Sequence, residues 1–222
     1  TKTLSLRRLF RASPLACVGM FLLGSVFAAQ FGMSAVYGAR AGLSDGQIAL
    51  MVALTYAAAL VAQYPIGLAS DRMDRRRLIL GLAALGGLAA VLGTILPAAL
   101  PVVLLASAVV GGTSNPLYAL LIAYANDYLE REDMAAASAG LLYVNGLGAI
   151  AGPLIVGWSM DRVGVRGFWG LIALLMLLLA AYALWRMRVA PARPTICHAR
   201  VAPLTAAGTR VAAAAGAEEA PA

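Results

Sequence analysis

Gly67-Leu68-Ala69-Ser70-Asp71-Arg72-Met73-Asp74-Arg75-Arg76-Arg77 lies between two long apolar runs and gathers six charges into the seven positions from Asp71 to Arg77. The runs on either side approach the ~20 residues that a helix needs to cross a bilayer. Charges this dense between two such runs belong at a membrane surface, in a short turn. A generic loop needs only scattered Lys or Arg, so this turn has a more specific task.

The rest of the chain agrees with a membrane setting. Of 222 residues, 62% are hydrophobic and 12% charged, against about 25% charged in a soluble domain. The net charge of +7 does not indicate nucleic acid. Basic residues fall at helix ends and in the tail, not on an amphipathic face or among aromatics. Cys17 and Cys197 sit in unlike surroundings, so no disulfide framework is expected. The one histidine, His198, is in the polar tail, and no Cys/His cluster has metal-ligand spacing. The chain begins at Thr1, and its first methionine is Met20, inside an apolar run. The run after Arg11 is too long for a signal peptide and lacks a cleavage site, so the chain is expected to be a piece of a longer protein.

Apolar windows predict helices over 14–38, 47–69, 78–96, 102–125, 136–159 and 168–187, joined by short connections. Residues 1–13 form a basic cytoplasmic lead-in, 14–190 a six-helix bundle, and 191–222 a disordered cytoplasmic tail of Ala, Pro, Thr and Arg. With both termini inside, fourteen of the 17 Lys and Arg residues lie on the cytoplasmic side. Only Arg40, Arg162 and Arg166 lie outside, so the distribution selects N-in/C-in.

An internal repeat emerges when the helices are split into triplets. The second helix of one ends Gly67…Asp71-Arg72, and the second helix of the other ends Gly157…Asp161-Arg162, on opposite membrane faces. The expected fold is therefore an all-α membrane protein with six transmembrane helices built as two inverted three-helix repeats.

The quoted turn also resembles the signature loop of the major facilitator superfamily (MFS), Gly-x-x-x-Asp-Arg-x-Gly-Arg-Arg. Gly67, Asp71, Arg72, Arg75 and Arg76 match, and Asp74 replaces the second glycine. It sits where that family has it, between the second and third helices of a six-helix half. The turn around Gly42-Leu43-Ser44-Asp45-Gly46-Gln47 is similar to the family's first external loop. The fifth helix carries a Gly-Pro motif, Gly148…Gly152-Pro153, with Gly157 one turn on. The stretch from Gln63 through the signature also resembles the YcaD-like branch.

The residues of the turn have readings of their own. Gly67 lets a neighbouring helix approach. Asp71 is placed to accept N–H groups at the start of another helix. Arg75 offers a guanidinium fork to Asp127 at the end of the fourth helix. Asp74 either pairs with Arg72 or Arg77 or is merely tolerated. The resemblance implies that this assembly latches the cytoplasmic side.

Polar residues at membrane depth mark the candidate path: Gln30 and Ser34, Gln63 and Tyr64, Thr113 to Asn115 with Tyr118, and Tyr143 with Asn145. In the family the first and fourth helices of a half face the cavity, which favours Gln30, Asn115 and Tyr118. Interhelical hydrogen bonding is the commoner use of any one such residue. Pro116 either hinges the fourth helix or bends it statically, relieved by Thr113 or Ser114. No Asp, Glu, Lys, Arg or His lies at mid-depth, so if the complete transporter is proton-driven its titrating residue comes from the missing half.

The resemblance implies a secondary-active transporter that moves a small solute by alternating access in a bacterial inner membrane. Its internal start and tail point to a C-terminal half, partnered by the bilayer and a missing N-terminal six-helix half. It needs no cofactor and no metal. The alternative is a non-transporting six-helix scaffold. An intramembrane serine protease is excluded because Gly112-Thr113-Ser114 lacks a partner base.

Overall fold

The computed structural model describes residues 6–189, which are helical almost throughout. A short lead-in helix α1 (Leu6–Ala12) precedes α2 (Pro14–Phe27), a π-helical turn (Ala28–Gly32) and α3 (Ser34–Arg40). Then follow α4 (Asp45–Arg72), α5 (Arg75–Ile95), α6 (Leu100–Asn126), α7 (Arg131–Val163) and α8 (Arg166–Val189). Six segments are long and apolar enough to cross a membrane. The expected tail, with Cys197 and His198, lies outside the described residues.

The helix boundaries follow local chemistry. Ser44 and Gln47 form a capping box at α4, with Asp45 in its first turn. Pro14 and Pro101 stand in the first turns of α2 and α6, where a missing N–H costs nothing. Gly164, at φ +73°, ends α7 in a conformation that only glycine adopts without strain.

Two expectations change. The first predicted helix, 14–38, is interrupted: the Ser34 hydroxyl donates to the Gln30 carbonyl, and Gly32 closes the π turn. A side-chain oxygen competing for the backbone beside a glycine breaks the regular ladder. The second and fifth helices are longer than predicted, with 28 and 33 residues. At 1.5 Å per residue they span about 42 and 50 Å, well beyond a ~30 Å hydrocarbon core. Their charged ends therefore stay helical above the membrane surface. Only Met73 and Asp74 separate α4 from α5, so Asp71 and Arg72 belong to a helix end.

The main packing partners are α2 with α7, α4 with α6, and α5 with α8. Exchanging the triplets α2-α4-α5 and α6-α7-α8 turns the first pair into the second and returns the third to itself. The contact pattern thus has the symmetry of an inverted repeat. The core lies where α2, α6 and α8 meet, around Met20, Leu117, Leu121, Met176 and Leu179. α4 and α7 are the outliers: 17% and 22% of their apolar windows are buried, against 61% for the first and last spans.

The lead-in is not merely a basic string over its described part. Leu9 of α1 is buried against α7, where a Cβ at Gly140 would stand 2.8 Å from it. Arg8 pairs with the buried Asp133 at 3.1 Å.

Candidate functional site

The charged turn is built from three helix ends. Arg75, first residue of α5, reaches the end of α6, where its guanidinium pairs with Asp127 and donates to the Ala123 carbonyl at 3.2 Å. Its Nε donates to Ser70 Oγ at 3.2 Å. One side chain thus ties α4, α5 and α6 together, and both charges of the pair are only about a quarter exposed. A half-buried guanidinium with several acceptors is held far better than a surface pair.

Three readings of the turn are corrected. Asp74 is the N-cap of α5: its carboxylate accepts from the Arg76 N–H at 2.9 Å and pairs with Arg76 Nη2 at 3.3 Å. It pairs with neither Arg72 nor Arg77, because a cap residue aims its side chain back over its own first turn. That leaves Asp71 without the task assigned to it. Asp71 and Arg72 are exposed at the end of α4, and their side chains form no hydrogen bond or ion pair among the described residues. At Gly67 an added Cβ would meet nothing within 4 Å, so no helix of the described chain approaches there.

The candidate path residues divide between two seams. Asn115 and Tyr118 of α6 line a groove of 340 Å³ with Phe27, Tyr56, Leu60 and Gln63. Asn115 Nδ2 donates to the Gly111 carbonyl at 3.2 Å, leaving its Oδ1 free to accept. Gln30 lies behind this wall, 4% exposed. Its Oε1 accepts from Ser114 at 3.0 Å, and its Nε2 has no partner among the described residues. Pro116 is not relieved as expected. Thr113 bonds the Val109 and Val110 carbonyls, and Ser114 bonds Gln30.

Asn145 belongs to the other seam. Its Nδ2 donates to the Met20 carbonyl at 3.0 Å, binding α7 to α2. Its own carbonyl lies so close to Gly24 that a Cβ there has no room. Gly148 meets the Phe21 carbonyl equally tightly, and a Cβ at Gly152 would stand 2.7 Å from the Ser25 carbonyl. Ser25 Oγ donates to the Gly148 carbonyl at 2.8 Å. Asn145 is therefore a helix-joining residue in this structure and not part of the groove wall. Gly157 is loose, with Met33 at 3.9 Å from its would-be Cβ. Pro153 sits inside α7 beyond the tight contacts.

A second groove of 350 Å³ continues toward the turn, lined by Gln63, Gly67, Ser70, Asp71, Arg75 and Pro116 among others. The two share Gln63 and Ala119, so one channel follows α4 and α6 from the rings to the charged turn. Among the described residues, no group of three His, Cys, Asp or Glu is placed to hold a metal.

The sequence profile of the Major Facilitator Superfamily matches residues 15–213. The chain belongs to this superfamily. It is 26% identical over 198 residues to an uncharacterized MFS-type transporter of Enterobacter sp. (strain 638), covering 85% of this chain and 48% of that protein. An uncharacterized MFS-type transporter of Yersinia pestis is 26% identical over 155 residues, 68% of this chain and 39% of its own length. The uncharacterized MFS-type transporter YfkF of Bacillus subtilis (strain 168) is 28% identical over 165 residues, 71% and 41% respectively. The chain thus spans about half the length, or less, of these curated relatives.

In this MFS chain, sequence reasoning missed three features. Phe27, Phe31 and Tyr56 read as ordinary apolar residues, yet their rings join Tyr118 in one row across the groove. The Asp161 echo of the signature pairs with Arg40 at 2.8 Å on the opposite face from Arg75–Asp127. The Arg8–Asp133 pair had a signal in the sequence, an acid in the first turn of a long helix, but no indication of which base reaches it.

Proposed function

We propose that this chain is one half of a secondary-active transporter that carries a small solute by alternating access. Its cytoplasmic turn acts as the latch. One observation carries the reading: the α4–α6 groove ends at Arg75, whose bonds to Ser70, Ala123 and Asp127 tie together the helix ends around that exit. Withdrawing the one Arg75 side chain would release all three ends together, and a small local change of this kind biases a two-state helix packing.

The open faces of α4 and α7 support a second six-helix half as the partner. Leu60, Val61 and Tyr64 are each 75% exposed, and Leu154 is 73% exposed. The open side of Gly67 fits the same reading, since a small residue suits an approaching backbone. The relatives' greater length supports it independently. On this account the chain lies in a bacterial cytoplasmic membrane with both termini inside. A proton-coupled version takes its titrating group from outside this chain.

The test is solute flux in vesicles carrying the complete gene product, with Asp71→Asn and Arg75→Ala beside wild type. Arg75→Ala is expected to lower flux about 10-fold or more while the protein still inserts, matching the ~1.5–3 kcal/mol of a charge-assisted bond. Equal flux by all three proteins overturns the latch.

A further inference from the structure

The wall of the α4–α6 groove has a chemistry that narrows its cargo. Four rings form a row across three helices. Tyr56 of α4 stacks on Phe31 at 4.8 Å and 18°, Phe31 meets Phe27 at 5.8 Å, and Phe27 meets Tyr118 of α6 at 5.9 Å. Phe27, Tyr56 and Tyr118 line the groove, and Tyr56 is 54% exposed, so ring surface is open to an occupant. Two amides line the same groove. Gln63 has no hydrogen-bond partner among the described residues, and Asn115 keeps a free acceptor.

Hydrocarbon is a poor occupant for this surface, because an amide facing lipid tails loses its hydrogen bonds at a cost of several kcal/mol in order of magnitude. Charge is equally unsuited. From Gly46 to Ser70 in α4 and from Leu100 to Asn126 in α6 there is no carboxylate, ammonium, guanidinium or imidazole. The channel's charged residues, Asp71 and Arg75, stand at its turn end, where Arg75 is already paired with Asp127. No charged residue lines the ring end, so a carboxylate or phosphate held beside the rings would lose its hydration without an adjacent counter-charge from this chain. A linear polyol offers the ring faces no flat apolar body to stack on them.

We infer that the groove binds an uncharged, planar aromatic solute bearing an amide or hydroxyl group, stacked against the ring row with its polar edge on Gln63 and Asn115. Offset stacking on such rings rewards a flat apolar body, and the amides reward a single neutral polar group. This inference rests on the groove being the transport path, and the experiment separates the two.

The complete protein is purified and equilibrium dialysis compares three probes: 2-naphthamide, 2-naphthoate and sorbitol. Naphthamide is expected to bind at least about 10-fold more tightly than the other two, a difference near 1.4 kcal/mol. Tyr56→Leu and Gln63→Leu are each expected to weaken naphthamide binding several-fold without lowering the thermal midpoint. In parallel, Gln63→Cys in a Cys17→Ala, Cys197→Ala background is exposed to a water-soluble maleimide in vesicles. Labelling with naphthamide preference supports the inference. Labelling with equal or tighter binding of naphthoate or sorbitol overturns the cargo class alone, as does labelling with no naphthamide binding or with no effect of either leucine variant. No labelling overturns both the cargo class and the path.

Discussion

The seam between α2 and α7 and the seam between α4 and α6 occupy equivalent places in the inverted repeat, yet they are built to opposite ends. In each, a glycine on the first helix of one triplet meets a backbone carbonyl on the second helix of the other. Gly24 meets Asn145, and Gly111 meets Thr55. The α2–α7 seam then adds Gly148 and Gly152, with Ser25 and Asn145 donating across it. In the α4–α6 seam, α6 meets α4 again at Gly112, with Ala58 and Ala62, and there the bulkier Tyr56, Gln63 and Tyr118 line a groove. One seam is closed by small residues and interhelical hydrogen bonds; the other meets closely at Gly111 and Gly112 and carries a ring-edged groove beside those contacts. The repeat supplies the symmetry, and the side chains decide which copy carries a groove.

The largest effect should come from the closed seam. Gly148→Val forces a branched side chain into the Phe21 backbone, which cannot yield. We expect little folded protein in the membrane, read as loss of the monodisperse detergent-solubilised peak. Gly112→Ala near the open seam, where a Cβ would find ordinary contact at 3.4 Å, should leave that peak unchanged. Comparable loss in both would remove the distinction between the seams.

The next effect is on function. Gln63→Ala should lower flux about 10-fold with the thermal midpoint held, whereas Asn145→Ala should do the reverse. Removing the Asn145 bond to Met20 should cost about 0.6–1.7 kcal/mol of stability, the range for hydrogen bonds between membrane helices, with flux near wild type. A thermal melt and a flux assay on both variants check this. The smallest effect belongs to the outer pair. Arg40 and Asp161 are 44% and 64% exposed, so Asp161→Asn should change stability by less than about 1 kcal/mol, and less in high salt.

Much of the architecture was legible in the sequence because hydrocarbon imposes it. Six apolar runs and a repeated Gly…Asp-Arg spacing need no tertiary information to be seen. The meeting of Arg75 with Asp127 was readable for a related reason, since both sit at helix ends on one membrane face and few partners are in reach. What stayed hidden depended on direction. Asp74 read as a substitute for glycine, but the two-residue gap between α4 and α5 makes it a cap. Gly67 and Gly148 look alike in sequence, and only the packing shows one side open and the other filled. The break in the first helix needed both the Ser34–Gln30 bond and Gly32. The ring row joins residues from three helices, so no linear pattern contains it.

The central claim is that the Arg75–Asp127 pair closes the cytoplasmic end of the α4–α6 groove. The direct measurement is the maleimide labelling rate of Gln63→Cys from the cytoplasmic side of inverted vesicles, with Arg75 intact and with Arg75→Ala. The account predicts labelling about 10-fold faster once the pair is removed, in line with a charge-assisted bond of about 1.5–3 kcal/mol holding the closed form. Identical rates would contradict it.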